Sequence, residues 1–541
     1  MNRRMTRAGA AIIGLGLVLS SVGCAHQSAG SSAAGNSKNL VSTTPAGQTP
    51  VSRVTWNLPY EPASIDPAKT QVTADAPVQA NMCESLLREN PDLTLSPNLA
   101  SAYEQVNPLT WTYQLRTDVK FWDGHPMTVA DVLASLRRHM DPNSGSYWAI
   151  YYQNVKSITQ SGPSQITVKL SRPDELFNYE LATAGGAISE AKVMESDGAN
   201  YGSPSDGVMC TGPFKFQSWT PGSNINLAAN EDYWDASRKP KIGTLVEKFI
   251  SDPATLASAL TSGEIDGMYD LPNAAIPQLE KASNGTVYLG PSTASLDLIP
   301  TEKSGPLHNA NVRRAMFLAL DRGAIASGVY HGDALPAQSF VNPAYAYGKA
   351  VFDAYTATLA KPAVDLTEAK ALVSHVADAG APIILATSPD PSLTIVANAL
   401  RSAGQSIGLN IQVETLTPTE NNDLYFDQKL RDKYDAFLNV QFTMVADPLE
   451  ELLFVTKSSP YNYGQYDNPE FNNLFNAALG TADPTARAHA VVKALTAVDQ
   501  DLPWVPIVSM PVRTFLNNKL TGIPTSWAFM FTPWAASVGG K

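Results

Sequence analysis

The sequence predicts an α/β protein folded into two or more lobes. The chain has 541 residues and is 44% hydrophobic, and a chain of that length exceeds what one hydrophobic core holds. Segments with alternating apolar and polar residues, beginning with VSRVTWNLPY at residue 51, predict strands in the first half. In the second half, predicted helices alternate with predicted strands, which is typical of an α/β lobe with a largely parallel sheet.

The first 50 residues predict export and lipid anchoring. Three arginines precede an apolar run that is too short to remain as a membrane anchor. We therefore interpret residues 1–24 as a lipoprotein signal peptide, with Cys24 as the lipidated residue; the alternative is a cysteine beside an ordinary cleavage site. Residues 25–49 are rich in Ser, Ala and Gly and predict a flexible tether. The mature protein is expected outside the cytoplasm, anchored to the bacterial cell membrane.

Charge and cysteine content narrow the functional classes. The formal charge of −12 becomes −15 once the three arginines of the signal peptide are removed. A strongly acidic chain argues against nucleic acid as a partner, because phosphate contacts need Lys and Arg. Cys83 and Cys210 are the remaining cysteines. In an oxidising compartment they form either a disulfide or two buried thiols, and the residues alone leave both open.

Local patterns predict the elements of the first half in order. After the strand at residue 51, the composition favours a helix over 76–88. Alternation predicts strands within 109–121 and 164–172. Between them, Thr128 and Asp131 form a capping box that opens a helix. A hairpin-like pair of strands follows Cys210, and Asp252 with Pro253 marks the start of another helix.

The second half continues with amphipathic patterns. Residues 311–326, NVRRAMFLALDRGAIA, predict one amphipathic helix. A helix over 366–376 precedes a strand over 382–388, and a helix over 392–408 precedes a strand over 409–416. The C-terminal segment from residue 502 returns to a strand-like pattern.

A search for catalytic and cofactor motifs gives a negative result. Residues 404–408 match G-x-S-x-G around Ser406, but a nucleophile elbow needs a strand before the Ser and a helix after it. Here a helix enters and a strand leaves, which indicates a helix C-terminus. The seven histidines show no close metal-binding spacing, and no phosphate-binding loop is present. No catalytic residue, metal or cofactor is predicted; a binding protein is favoured, although carboxylates distant in sequence would escape this search.

Several short motifs follow one another in a recognisable order. They read Ile65-Asp66-Pro67, Pro97-Asn98-Leu99-Ala100, Leu115-Arg116, Val119-Lys120-Phe121-Trp122-Asp123-Gly124-His125-Pro126, Thr128-Val129-Ala130-Asp131-Val132, Thr211-Gly212-Pro213-Phe214, Gly263-Glu264-Ile265-Asp266, Val312-Arg313-Arg314-Ala315, Ala319-Leu320-Asp321-Arg322, Gly464-Gln465-Tyr466-Asp467-Asn468-Pro469-Glu470-Phe471 and Leu502-Pro503-Trp504-Val505-Pro506. Their order over residues 50 to 520 resembles ABC-transporter substrate-binding proteins of the peptide/nickel class, which include oligopeptide- and dipeptide-binding proteins.

This resemblance implies a periplasmic-binding-protein-like fold with two lobes, a hinge between them and an extra domain II. The implied domains are 50–83, 205–300 and 505–541 for domain I, 84–204 for domain II and 301–504 for domain III. The ligand enters between the lobes, which close around it. The same division places Cys83 and Cys210 at neighbouring crossings between domains I and II, which favours a disulfide. We interpret the motif around Phe121 as scaffold and expect a monomer.

The resemblance also implies how a short peptide is held. The ligand main chain pairs like an added strand with two extended clamps. The implied clamps are Gln71, Val72 and Thr73 on one side, and Val440, Gln441, Phe442, Thr443 and Met444 on the other. Tyr147, Trp148, Tyr151 and Tyr152 lie where the family often places a pocket wall; core packing is the equal alternative.

In the family, a buried Asp meets the ligand ammonium in the acidic segment of domain III. An ungapped alignment puts Met444 at that position, whereas a short deletion gives the role to Asp447; a surface Asp that starts a helix is the remaining alternative. We therefore expect a lipoprotein that captures short peptides and delivers them to an ABC permease without hydrolysing them. Because the acidic segment departs from the family pattern, heme, a nickel chelate or an oligosaccharide is the alternative ligand.

Overall fold

The computed structural model describes residues 39–541. Its architecture is mixed α/β with two lobes, so the predicted fold class is confirmed. The predicted signal peptide and lipidated Cys24 lie outside the described residues. Within residues 39–541, no helix is both long enough and apolar enough to cross a membrane.

A seven-stranded mixed sheet forms the first large layer. In spatial order its strands are Gly285–Gly290, Val512–Asn517, Gly267–Met268, Val51–Asn57, Ile242–Lys248, Asn224–Ala229 and Phe214–Thr220. The strand Val51–Asn57 lies in the middle and pairs in parallel with both neighbours. Its central position explains why its apolar side chains, such as Val54 and Trp56, are fully buried.

A six-stranded sheet forms the core of the second lobe. In spatial order its strands are Leu335–Pro336, Val505–Ser509, Ser295–Pro300, Ala436–Gln441, Pro382–Thr387 and Asn410–Thr415. The predicted βαβ unit is confirmed, because Pro382–Thr387 and Asn410–Thr415 pair in parallel. The expected largely parallel sheet is wrong, because Ser295–Pro300 pairs antiparallel with both of its neighbours.

Smaller sheets complete the strand inventory. A four-stranded antiparallel sheet has the order Ala100–Asn107, Thr110–Leu115, Gln165–Leu170, Val155–Gly162. Two-stranded sheets join Leu87–Glu89 to Leu95–Pro97 and Leu520–Thr521 to Gly539–Gly540. Each of the three larger sheets lies mainly within one predicted domain. The exceptions are Ser295–Pro300 and Val505–Ser509, which fall inside predicted domain I but belong to the six-stranded sheet. The domain limits remain a prediction.

Helices cover these sheets and connect their strands. In the first half they are Ala76–Met82, Val129–Arg137, Ala149–Tyr152, Leu176–Glu180, Ala191–Asp197, Pro253–Ser262 and Ile276–Leu279. In the second half they are Ala310–Ala319, Arg322–Ala324, Lys349–Thr356, Leu366–Ser374, Pro391–Ser406, Pro418–Asp423, Gln428–Arg431, Pro448–Leu453, Pro469–Leu479 and Pro484–Asp501. The predicted caps are confirmed at two helices. Asp252 accepts a hydrogen bond from the backbone of Thr255, and Asp131 accepts one from the backbone of Thr128.

Two predicted helices end earlier than expected. The helix expected over 76–88 stops at Met82, and Cys83 is extended. The helix expected over 311–326 breaks at Leu320, because Asp321 caps a new turn by accepting a hydrogen bond from Ala324 N. In both places a tertiary or capping interaction overrides the apolar periodicity.

The start of the described chain is packed rather than free. Residues 41–49 were expected to belong to the tether. Instead Val41 N donates to Leu289 O, and the segment pairs with the C-terminal region through Thr43 and Thr49. The expectation of a flexible tether is therefore wrong for residues 41–49.

Two short segments connect the large sheets side by side. Residues 291–294 link a strand of the seven-stranded sheet to the six-stranded sheet, and residues 510–511 make the return crossing. The two crossings are bonded to each other, since Met510 N donates to Ala294 O over 2.9 Å. Paired crossings between two packed lobes are the expected form of a hinge.

The motif around Phe121 is hydrogen-bonded to residues 210–212, which lead into the strand Phe214–Thr220. Trp122 donates its backbone N–H to Cys210 O and its indole N–H to Gly212 O, over 3.2 Å and 3.1 Å. Cys83 and Cys210 are joined by a disulfide with 4.9 Å between their Cα atoms. These contacts hold the turn against the segment around Cys210. They support the interpretation of the motif as scaffold.

Candidate functional site

Two adjacent cavities lie between segments of the two predicted lobes. The smaller, which we call the aromatic cavity, has a volume of about 170 Å³. It is lined by Gln71, Val72, Tyr151, Asn422, Tyr425, Phe426, Val440, Gln441, Phe442, Met444, Phe454, Tyr461 and Trp504. Phe454 contacts both Tyr461 and Trp504, with ring centroids 5.3 Å and 6.1 Å apart. The lining contains no ionisable acid or base other than tyrosine, so it suits an apolar or aromatic group.

The larger cavity, which we call the charged cavity, has a volume of about 340 Å³. It is lined by Thr73, Asp270, Leu271, Pro272, Asn273, Ser292, Ala294, Tyr330, Asp390, Ser392, Leu393, Val440, Phe442, Met510, Pro511, Val512, Arg513 and Trp527. Val440 and Phe442 line both cavities, so the two spaces meet at this strand end. The charged cavity also touches both hinge crossings. Together the volumes fall in the range of small-molecule sites.

The strand Ala436–Gln441 presents a partly unpaired edge to these cavities. On one side it pairs along its whole length with Ser295–Pro300. On the other side it pairs with Pro382–Thr387 only at Ala436 and Phe437. Residues 438–441 therefore have no strand partner on that side among the described residues. Leu438 and Asn439 are buried, so only Val440 and Gln441 of this edge line a cavity, and the Val440 N–H donates to Asn439 Oδ1 over 2.9 Å. An extended ligand can add to such an edge through main-chain hydrogen bonds once the Asn439 side chain gives up the Val440 N–H.

Gln71, Val72 and Thr73 reach the cavities but do not form the expected extended clamp. The backbone N–H groups of Gln71 and Val72 both donate to Asp75 Oδ1, over 3.0 Å and 2.9 Å. The Val72 carbonyl accepts from Asp75 N and Ala76 N, so the segment is the turn that leads into the helix Ala76–Met82. The expectation of a clamp strand at residues 71–73 is wrong, because a local carboxylate occupies the backbone donors of residues 71 and 72.

Met444 lines the aromatic cavity, and the Glu450 carboxylate accepts a hydrogen bond from its backbone. Glu450 is fully buried and accepts hydrogen bonds from Met444 N, Val445 N and the Tyr151 hydroxyl, over 2.9, 2.8 and 2.6 Å. Burial raises the pKa of Glu450 to about 7, although these three donors oppose the rise. The network therefore holds Met444 and Tyr151 against the aromatic cavity, with a thioether where the ungapped alignment would place the family's carboxylate.

Asp447 lies in a buried network and lines neither cavity among the described residues. It caps the helix Pro448–Leu453 by accepting a hydrogen bond from Leu449 N over 3.0 Å. The Tyr347 hydroxyl also donates to the same oxygen over 3.0 Å. Burial raises the pKa of Asp447, and the Arg487 guanidinium opposes the rise. The helix-start alternative thus describes its local geometry, except that the residue is buried rather than on the surface.

The remaining predicted residues have structural partners. Trp148 is 0% exposed and donates its indole N–H to Pro67 O, which is core packing. Tyr147 is exposed and its backbone N–H donates to Ala68 O. Thr443 is buried, and its carbonyl accepts from the Thr293 hydroxyl over 2.7 Å. These three residues line neither cavity, whereas Tyr151, one helical turn further on, does.

Charged groups of opposite sign line the charged cavity. Arg513 is 8% exposed, and it donates to Asn273 Oδ1 over 2.8 Å. Within residues 39–541 it forms no direct ion pair, but its charge opposes the rise that burial causes in the pKa of Asp270, so the two groups interact electrostatically. Asp390 caps the helix Pro391–Ser406. Asp270 has a left-handed backbone with φ of 53°, a strained conformation that is enriched at functional sites. The cavity therefore offers a buried cation and two carboxylates.

Sequence reasoning missed most of the residues that complete the two cavities. Trp504 belongs to the Leu-Pro-Trp-Val-Pro motif, which carried a signal for the fold but none for a ligand. Asp270, Asn273, Asp390 and Arg513 come from separate segments, and no local pattern connects them. Ser406 behaves as predicted at a helix end: its hydroxyl donates to Ala403 O over 2.7 Å, and a strand follows.

Comparisons with known proteins agree with this architecture. The family model described as bacterial extracellular solute-binding proteins, family 5 Middle, matches residues 94–463. The chain is 25% identical over 502 residues to the periplasmic oligopeptide-binding protein OppA of Salmonella typhimurium, covering 89% of this chain and 88% of the relative.

Two solved structures are similar in fold. The binding protein AgaA from A. tumefaciens R10, in complex with agropinic acid, has a TM-score of 0.76 at 21% identity and covers 90% of this chain and 99% of its own. NikA from Staphylococcus aureus, in complex with Ni(L-His)2, has a TM-score of 0.71 at 22% identity and covers 89% of this chain and 98% of its own. The chain thus belongs to family 5 of the bacterial extracellular solute-binding proteins, the class of the peptide- and nickel-binding ABC-transporter receptors.

Proposed function

We propose that this protein captures short peptides in the two cavities and delivers them to an ABC permease. The observation that carries the proposal is that the unpaired edge reaches, at Val440, a cavity that holds both charge signs. A peptide offers what these features bind: main-chain groups for the edge and two oppositely charged ends for the cavity. The relative OppA, named as an oligopeptide-binding protein, supports this ligand class.

Arg513 is the group that we assign to the ligand carboxylate. Arg513 is largely buried and interacts with Asp270 without a direct ion pair, so a ligand carboxylate would add charge-assisted hydrogen bonds to the guanidinium. Asp270 and Asp390 are the groups that we assign to the ligand ammonium. This assignment replaces the acid that the family pattern places in domain III, where Met444 lines the aromatic cavity instead.

The aromatic cavity would take one side chain of the ligand. Its lining contains seven aromatic residues, so an apolar or aromatic side chain gains free energy by leaving water. Phe426 is 73% exposed at the rim. A ligand side chain that reached Phe426 would cover this ring and remove its apolar surface from water.

Hinge motion would admit and enclose the ligand. The two crossings at residues 291–294 and 510–511 are the flexible connection, and both touch the charged cavity. On the far side, Asn273 donates to Ser392 Oγ over 3.0 Å, which joins the predicted lobes. We further propose that Cys24 carries the lipid anchor, so that the receptor stays near its permease outside the cytoplasm.

A ligand panel tests the proposal. Purified whole chain is heated with di- to pentapeptides, a nickel–histidine chelate, agropinic acid, heme and short oligosaccharides, and the melting temperature is recorded. Peptides at about 100 times Kd are expected to stabilise the fold by about 2.7 kcal/mol. A shift with the nickel chelate, heme, opine or sugar, and none with any peptide, would replace peptide by that ligand class. Loss of labelled-peptide uptake in cells lacking the protein tests the delivery step.

A further inference from the structure

A second cluster of polar groups lies in the turn of the Phe-Trp-Asp-Gly-His-Pro motif, outside both ligand cavities. Asp123, His125 and Glu190 each offer one donor atom, and these atoms lie within 4.8 Å of one another. The His125 Nδ1 atom is 2.6 Å from Asp123 Oδ2 and 3.1 Å from Glu190 Oε1. One imidazole nitrogen and two carboxylates therefore converge at the protein surface.

Glu190 supplies an independent sign that a ligand is missing from this cluster. Its side chain is only 7% exposed, and its Oε2 atom has no hydrogen-bond partner among the described residues. A buried carboxylate oxygen without a partner is costly. Within residues 39–541, His125 is the only ion-pair partner of either carboxylate. The cluster brings two carboxylates and one imidazole together, and a divalent cation can bind all three groups.

The fold holds all three donor groups in place. Gly124 adopts φ of 94°, which closes the turn, and His125 N donates to Asp123 Oδ1 over 3.0 Å. On the other side, Glu190 N donates to Met209 O over 3.1 Å. The next residue, Ala191, donates its N–H to Asp131 Oδ1 over 3.0 Å. The donors are thus set by the scaffold and need only small side-chain adjustments to surround an ion.

We propose that Asp123, His125 and Glu190 form a binding site for a divalent transition-metal ion of the Zn²⁺ type. A set of one imidazole and two carboxylates suits Zn²⁺ and its neighbours better than Mg²⁺ or Ca²⁺, which prefer oxygen ligands throughout. Three protein ligands leave a coordination position for water, because His125 is exposed. The ion would cross-link two segments that are 65 residues apart.

The sequence carries no recognisable spacing for this cluster. Only Asp123 and His125 are close in sequence, and two ligands do not make a recognisable motif. Glu190 is brought to them by the packing of the helix Ala191–Asp197 against the helix Val129–Arg137, which the hydrogen bond from Ala191 to Asp131 fixes.

Zn²⁺ binding by the untagged whole chain, first stripped with a chelator, tests the proposal. Titration against a chromogenic chelator is expected to show one Zn²⁺ per chain at micromolar affinity. His125→Ala and Glu190→Gln should each weaken binding at least roughly tenfold, since even indirect ligand partners are worth 10- to 100-fold. The control variant His489→Ala, at an exposed helical histidine, should bind Zn²⁺ like the wild type.

A crystal soaked with Zn²⁺ supplies the position of the ion. Anomalous density between the three side chains is the expected result. The proposal is overturned if His125→Ala retains wild-type affinity, or if the anomalous density lies only in the ligand cavities. Absence of Zn²⁺ binding at micromolar concentration also overturns it, and the cluster is then only a hydrogen-bonded group of one histidine and two acids. Because His125 lies on an exposed turn, its replacement should leave the fold intact.

Discussion

Replacing Arg513 by Gln is the sharpest single test of how the ligand is oriented. Arg513 is 8% exposed, donates a hydrogen bond to Asn273 and forms no direct ion pair within residues 39–541. Glutamine keeps a donor for Asn273 and removes the charge. If a ligand carboxylate pairs with Arg513 in this cavity, loss of the pair costs about 2–4 kcal/mol, or roughly 30- to 700-fold in Kd.

The assay compares one peptide in two forms. The best-binding peptide from the thermal-shift panel is titrated calorimetrically with a free C-terminal carboxylate and with a C-terminal amide. Wild type should prefer the free acid, and Arg513→Gln should bind both forms with similar, weak affinity. Arg401→Gln, at an exposed helical position, is the matched control and should behave like wild type. Equal losses for acid and amide would refute the assignment, as would no loss at all.

Three further outcomes follow from the described contacts. Phe442→Ala removes a side chain shared by the walls of the two cavities and should weaken peptide binding roughly tenfold or more. Calorimetry measures the loss, and the control Phe216→Ala, outside both cavities, should bind like the wild type. Equal affinities for the two variants would contradict the site. Burial raises the pKa of Glu247 to about 8, so this residue makes stability fall as pH rises from about 4.5 to 8, by up to roughly 5 kcal/mol. Glu247→Gln should flatten that dependence in urea unfolding, and an unchanged slope would contradict it. Replacing Cys83 and Cys210 by Ser opens a loop with a sequence separation of 127 and should lower the free energy of unfolding by about 5 kcal/mol; a loss below 1 kcal/mol would contradict the constraint.

Local sequence determines elements whose partners are also local. The alternation at residues 51–57 and the caps at Thr128 and Asp252 predict their strand and helices because the responsible interactions lie within a few residues. The periodicity of residues 311–326 misleads, because Asp321 starts a second turn whose cap competes with the apolar pattern. In such segments the capping residue is the better local guide.

Sheet neighbours and cavity residues are set by contacts across the chain. The strand Ser295–Pro300 makes the second sheet mixed by inserting between Val505–Ser509 and Ala436–Gln441, and no local pattern encodes that choice. The resemblance located the strand end at Val440 and Phe442, since its motifs carry the fold. It could not supply Arg513 and Asn273, which meet although they are 240 residues apart.

A crystal structure of the protein with its copurified ligand tests the central proposal most directly. We expect an extended ligand whose main chain bonds the edge at residues 438–441. Its carboxylate should lie beside Arg513, and one of its side chains should lie among the aromatic residues around Phe454. Ligand density elsewhere in the molecule, or cavities filled by the protein's own side chains in every crystal form, would contradict the proposed mode of binding.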